Sequence, residues 1–429
     1  MATTPALPAP SADVDLSARD LSVDLARVFA VVVVVIVHML MIGVGIHDGQ
    51  IVVTQPLQRQ PWYVPATLFG QVMPLFFALG GFATLTSYRR RDLTAAEFIR
   101  KRTLRMARPT LSVFVVFALA GWLAFLLGVD PELVNVVLAG VGTPLWFFAA
   151  YLLCQACAPL MVRLHRTHPL ATFVVLAAGA VAIDTARRQS GHVSIGWLNF
   201  FFVWLFVQQI GFLYAERVFH RRRILTLGVF LAAASLLAVL VLNRIYNTDM
   251  LYNLNPPSVP LMLLGIAQLS LLVLLHPALE KLMRSRVAQL VVFAIGTRLM
   301  TVYVWHMTCL LLVTGVALLI PHGLPDPASG AWWKSRPLVL LATFALIFLI
   351  SLWSVRFEKA PHIPDGFRGP GLPWALVAVV VAFIPMFAIT DWGMDRWLAL
   401  AGLIGLAATL VLLRPQRVAV GPPTRGRAG

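Results

Sequence analysis

The chain has 429 residues, 59% of them hydrophobic and only 12% charged, with a mean hydropathy of +0.83. Soluble domains carry roughly 25% charged residues, so a water-exposed fold of this size could not cover its surface. The formal net charge of +16 would suggest nucleic acid in a soluble protein, but here the cations flank apolar runs, which excludes that reading and points to a membrane.

The N-terminus, residues 1–20, is Ala/Pro-rich with Asp13, Asp15 and Asp20. It lacks the basic start of a cleavable signal and reads as a short disordered tail. Twelve apolar runs follow, at about 24–45, 66–88, 109–128, 142–162, 169–186, 196–216, 224–242, 258–279, 291–320, 337–355, 373–391 and 397–413. Each is long enough for a helical span, which takes roughly 20 residues. The run from 287 to 320 exceeds one span, so it either tilts or begins at the interface. The expected fold is an all-α polytopic transmembrane bundle, with ten core spans and about two extra C-terminal ones. With both termini inside, 25 of the 34 Lys and Arg fall on the cytoplasmic side and seven outside, Arg27 and Arg298 lying within spans. That asymmetry favours a multi-pass protein of the cell inner (plasma) membrane with cytoplasmic termini. Arg far outnumbers Lys, a bias associated with GC-rich bacterial genomes. Cys154 and Cys157 are one helical turn apart in an apolar run, and with Cys309 they suggest neither zinc nor a disulfide.

Ionisable groups inside membrane helices mark functional sites. In the first span Asp24, Arg27 and His38 lie on one helical stripe, Arg27 and His38 being eleven residues and about 16 Å apart along the axis. Either Asp24 and Arg27 form an interface pair while His38 hydrogen-bonds a neighbouring helix, or the imidazole is a general base for a hydroxyl, a role suited to a neutral ring in an apolar site. Before the third span, Arg100, Lys101, Arg102, Arg105 and Arg108 put five cations in nine residues. They anchor the cytoplasmic face, or the turn-spaced Arg102, Arg105 and Arg108 form guanidinium forks for the phosphates of an acyl-CoA. In the ninth span Tyr303 and His306 share a face, as structural hydrogen-bonders or as the lining of a substrate channel. Trp146 and Tyr151 read as interface or packing aromatics, and Phe357-Glu358-Lys359-Ala360-Pro361 as a cytoplasmic cap. No phosphate-binding loop, nucleophile elbow or zinc helix motif occurs in the sequence, and no metal or permanently bound cofactor is expected.

The ordered set of these motifs resembles the acyltransferase-3 family of integral-membrane O-acyltransferases. The resemblance rests on Asp24-x-x-Arg27 and His38, Met73-Pro74-Leu75-Phe76-Phe77, Gly81-Phe82, Arg102-x-x-Arg105, Leu145-Trp146-Phe147, Tyr303-x-Trp305-His306 and Glu358 before Pro361. Gly80 stands where the family has Ser-Gly-Phe, and Leu299 where a serine precedes the tyrosine. The resemblance implies a transmembrane acyltransferase domain over residues 21–361, two additional spans over 362–413 and a basic cytoplasmic tail over 414–429. It also implies catalytic roles for Arg27 and His38 and donor binding at Arg102 and Arg105, joined by Arg108, with Asp24, Tyr303 and His306 in support. The expected donor is an acyl-CoA, acetyl-CoA first, and the acceptor a hydroxyl of a carbohydrate, envelope polymer or small metabolite. The main rival is a secondary transporter or flippase, which should show two similar six-span halves; residues 24–216 and 224–413 share no motif. A lipid-linked glycosyltransferase would want an acidic pair in the 46–65 loop, which offers only Asp48.

Overall fold

A computed structural model describes residues 20–47, 50–89, 93–320, 323–358, 361, 363 and 367–417. The tail before Asp20, Asp48, Lys359 and Ala360 of the expected cap, and the basic tail from residue 418 lie outside the described residues. The chain is an all-α bundle, in order α1 (Leu21–Met41), α2 (Tyr63–Gly70), α3 (Met73–Arg89), α4 (Ala95–Leu126), α5 (Pro131–Gly142), α6 (Trp146–Thr167), α7 (Pro169–Ser190), α8 (Asn199–Ala215), α9 (Arg223–Leu242) and α10 (Val259–Leu282). It continues with α11 (Arg286–Gly296), α12 (Leu299–Leu318), α13 (Gly330–Ser354), α14 (Leu372–Trp392) and α15 (Arg396–Leu412). A small antiparallel hairpin, Gly43–His47 with Gln50–Thr54, follows α1 and takes the last residues expected to belong to the first span.

Eleven helical stretches among the described residues are long and apolar enough to cross a membrane. The twelfth expected span is α15, a 17-residue helix, at the lower limit of about 17 residues for a crossing. The protein is a multi-pass membrane protein. Helices α9 and α13 bury little of their apolar surface, as lipid-facing helices do.

Helix ends follow local chemistry. The Asp20 carboxylate accepts from the backbone N–H of Ser22 (3.1 Å) and Val23 (3.3 Å), capping α1. Thr94 and Glu97 form a reciprocal capping box, which starts α4 fourteen residues before the apolar run that marks it in the sequence. Arg100 to Arg108 therefore ride on α4 itself, and Pro109 lies inside the helix. The long ninth run is two helices, α11 and α12, broken at Thr297 and Arg298. Arg298 thus stands at the N-cap of α12 rather than within a span, a correction to the sequence expectation.

Close packing in the centre depends on two glycines. A Cβ on Gly81 of α3 would lie 2.2 Å from the carbonyl oxygen of Gln208 in α8. One on Gly211 would reach 1.9 Å from the Ala78 oxygen. Without side chains there the two backbones meet, as small residues allow between membrane helices. Helices α14 and α15 pack against each other and against α4 and α6, so the C-terminal pair belongs to the bundle rather than standing apart from it.

The bundle has two distinct ends. One gathers the start of α1, the end of α3 and the end of α8, where Arg89 pairs with Glu216 (2.5 Å) and Tyr214 donates to Asp20 (3.2 Å). The other gathers the end of α1, α2 and the loop before α10, where Tyr63 donates to Asp249 (2.7 Å).

Candidate active site

The two membrane histidines come together. His38 lies on the last turn of α1, three residues before its end, and His306 lies two turns into α12, a helix that packs on α1. Their ring centroids are 5.0 Å apart, and His306 Nε2 stands 3.1 Å from His38 Nδ1. The other contacts fix the protons. His306 Nδ1 is 2.7 Å from the Tyr303 carbonyl oxygen, and His38 Nδ1 is 3.0 Å from that of Val34. A carbonyl only accepts, so in the neutral rings both Nδ1 atoms carry hydrogen. His306 Nε2 is then an acceptor, sharing the His38 Nδ1–H with Val34. What remains is the bare lone pair of His38 Nε2. His306 is fully buried, whereas His38 keeps partial exposure.

Tyr303 holds α12 in place rather than facing the imidazole pair with its hydroxyl. Its O–H donates to the Pro144 carbonyl (3.1 Å) at the α5–α6 junction, and its ring packs on Phe147 with centroids 4.4 Å apart. Trp146 stacks against Phe77 and Trp204 and is buried, which makes it a packing residue and not an interface aromatic.

Asp24 and Arg27 are not within ion-pair distance of each other, although three-residue spacing puts them on one face, and Asp24 has an interaction of its own. Sharing a face brings Cβ atoms to about 5–6 Å, which permits a contact without requiring it. The Arg27 Nε is buried with no hydrogen-bond partner.

Two arginines of α4 lie over aromatic faces, and one acid stands within reach of the row's charge. Arg102 lies over the Phe98 ring (5.2 Å) and donates to the Ala83 carbonyl (3.4 Å). Arg108 lies over Phe357 (5.9 Å), and Arg105 is exposed. The acid is Glu358, whose carboxylate accepts from the Thr301 N–H (3.0 Å) and hydroxyl (2.5 Å) on the first turn of α12. Burial pushes the Glu358 carboxyl above its ordinary value, against the Thr301 bonds and the positive charges of Arg105 and Arg298. Of the expected cap, Glu358 thus bonds the first turn of α12. It closes the helix that carries His306 and sets that helix beside the arginine row.

Arg100 was not singled out by the sequence beyond its place in the basic cluster. It is 1% exposed, donates from Nε to the Leu413 carbonyl (2.9 Å) and leaves both Nη atoms without a partner. The one available signal was its offset of two from Arg102, which places it on another face of α4. The three cysteines are free thiols, and no group of three or more metal-ligating side chains occurs among the described residues.

A membrane bundle that encloses an imidazole pair, with a row of arginines on α4 toward the end that carries the start of α1, defines a class: an integral-membrane protein with polar groups held among its helices. Residues 20–356 match the family model described as an acyltransferase domain, and the chain belongs to the acyltransferase-3 family. It is a membrane acyltransferase, which decides the choice against a transporter. No curated relative and no solved structure matches the chain.

Proposed function

We propose that the protein transfers a short acyl group, acetyl first among them, from acyl-CoA to a hydroxyl of a sugar, envelope polymer or small metabolite. The observation that carries the chemistry is the free lone pair on His38 Nε2, fixed by the hydrogen bonds of both rings. His38 Nε2 takes the proton of the acceptor hydroxyl as its oxygen attacks the thioester carbonyl. The new C–O bond forms, the C–S bond breaks, and the departing thiolate takes the proton back from His38. While His38 is cationic, the lone pair of His306 Nε2 accepts its Nδ1–H and stabilises the charge, the orienting role an acid plays in a catalytic triad. Direct transfer needs no acyl-enzyme, and Cys154 and Cys309 sit buried in packed apolar surroundings.

On this reading Arg102, Arg105 and Arg108 hold the donor phosphates at the cytoplasmic mouth, where guanidinium forks suit them. Arg27 stands between that mouth and the imidazoles, about 16 Å along α1 from His38, and stabilises donor charge with its unpartnered Nε. His38 lies close to the opposite end of α1, so donor and acceptor enter from opposite faces. The protein resides in the inner (plasma) membrane with both termini cytoplasmic, as the cation asymmetry favours.

The test is thiol release from acetyl-CoA by the purified protein, with acylated products followed by mass spectrometry. His38→Ala is expected to abolish release while retaining donor binding, and Arg105→Ala to weaken the donor. Unchanged turnover in both variants overturns the assignment.

A further inference from the structure

At the end of the bundle that carries the last turn of α1, a cleft of about 580 Å³ opens between the end of α7 and the loop after α9, lined by Arg187, Arg188, Arg244, Tyr246, Thr248 and Tyr252 among others. Three guanidiniums in one cleft are out of place there, because this end has few cations. Others at the same end have an evident interfacial role: Arg336 lies over Trp332 (4.2 Å) and Arg396 over Phe125 (4.2 Å). Such stacked arginines anchor a helix at the membrane surface. Of the cleft arginines Arg188 is stacked in the same way, whereas Arg187 and Arg244 lie over no ring among the described residues.

Arg188 is built into the wall. It donates to the Ile245 carbonyl (2.7 Å) and lies over Tyr246 (4.6 Å). Arg244 is exposed and sits in the left-handed backbone region, φ 57, at the end of α9. Glycine takes that conformation without steric cost and is the usual residue there; Arg217 occupies the same position after α8. The acids beside the cleft are already engaged. Asp184 is fully buried and accepts from Asn199 (2.8 Å) and the Val259 N–H (3.0 Å), and Asp249 accepts from Tyr63 (2.7 Å). Their donors are neutral, so the two acids offset part of the charge of the three arginines and the cleft keeps a net positive charge. Tyr252, 64% exposed, and the Thr248 hydroxyl add a ring face and a polar group.

The cleft is tied to the imidazole pair through α2. Thr67 accepts from the Met250 N–H (3.0 Å) and Gln71 donates to the Met250 carbonyl (3.0 Å). At the end of the same helix, a Cβ on Gly70 would stand 3.1 Å from the Val37 side chain, next in sequence to His38.

We infer that this cleft binds an oxyanion, phosphate or carboxylate, carried on a hydroxyl-rich ligand and presented from the face opposite the α4 arginines. Naming that ligand the acceptor rests on the acyl-transfer reading; the binding itself does not. Arg187 and Arg244 hold the oxyanion, with Tyr252 against a sugar face. A membrane phosphoglycerol headgroup offers the same chemistry as a soluble sugar phosphate.

Calorimetric titration of the full chain in phosphatidylcholine nanodiscs separates these possibilities, with glucose 6-phosphate and glucose as probes. Glucose 6-phosphate is expected to bind at least tenfold more tightly than glucose, an advantage that shrinks as salt rises. Arg244→Gly should lose that advantage while its thermal midpoint stays equal or rises, since glycine suits the backbone there; Arg187→Gln should weaken binding likewise. Loss of glucose 6-phosphate binding in phosphatidylglycerol nanodiscs, restored in phosphatidylcholine, assigns the site to a lipid headgroup and supports the oxyanion site. Binding unchanged in both variants, or no preference for the phosphorylated sugar in phosphatidylcholine, overturns it. Because binding is read without turnover, failure of the acyl-transfer reading leaves this result intact.

Discussion

The imidazole pair and the α4 arginine row are built differently. Every nitrogen of the pair except His38 Nε2 has a hydrogen-bond partner within about 3 Å. Arg102 and Arg108 rest against aromatic faces more than 5 Å away, Arg102 also donates to the Ala83 carbonyl, and Arg105 is exposed. A group that moves a proton in a transition state needs one lone pair aimed in one direction. Groups that hold phosphates need charge and reach, which a guanidinium supplies from several poses. The contrast teaches that the imidazole pair is fixed by hydrogen bonds to each other and to backbone, whereas the middle arginine of the row, Arg105, is left exposed.

Substitutions at four positions break or sharpen that contrast. The largest effect belongs to His38→Ala, which should lower kcat by about 10²–10⁴-fold while donor binding persists. Equal loss of donor binding would show that the ring shapes the site rather than working in it. His306→Ala should lower kcat by about 10–100-fold with an unchanged donor KM, because it withdraws an orienting acceptor and not the base itself. His306→Gln, which keeps a carbonyl acceptor, should recover part of the loss in the same thiol-release assay. Arg105→Ala should raise the donor KM by roughly tenfold, about 1.4 kcal/mol, with little change in kcat. A fall in kcat alone would place Arg105 with the chemistry instead. The smallest effect is on stability. Glu358→Ala removes the acceptor for Thr301 and should cost about 1 kcal/mol in a thermal denaturation series. Glu358→Gln keeps a carbonyl oxygen for Thr301 and should melt closer to the parent protein.

Much of the bundle was legible because apolar runs of membrane length have few other uses. His38 and His306 were each visible as polar groups in greasy helices, yet nothing local links residues 268 apart in the chain; their pairing is a product of α1 meeting α12. The break before α12 was hidden because Gly296, Thr297 and Arg298 interrupt an otherwise apolar run too briefly to mark an end. The capping box at Thr94 was available to reading and fixes the start of α4, but the apolar count draws the eye to Pro109. Asp24 and Arg27 do not pair with each other, since helical spacing supplies proximity and neighbours decide what is bonded. Burial of Arg100 was beyond reach, because its partner at Leu413 is a backbone oxygen and carries no signature.

The family match ends at residue 356, but the Arg100 guanidinium does not recognise that boundary. Its bond to the Leu413 carbonyl and the seating of Phe114 over Gly402, where a Cβ would lie 2.1 Å from the ring, make α14 and α15 a wall of the helix that bears the arginine row. A gene trimmed to the family boundary would uncover that wall, strand a buried cation and expose an apolar flank to lipid. Expression of the acyltransferase domain by itself should therefore yield poorly inserted protein, and supplying residues 362–429 as a separate chain should restore it.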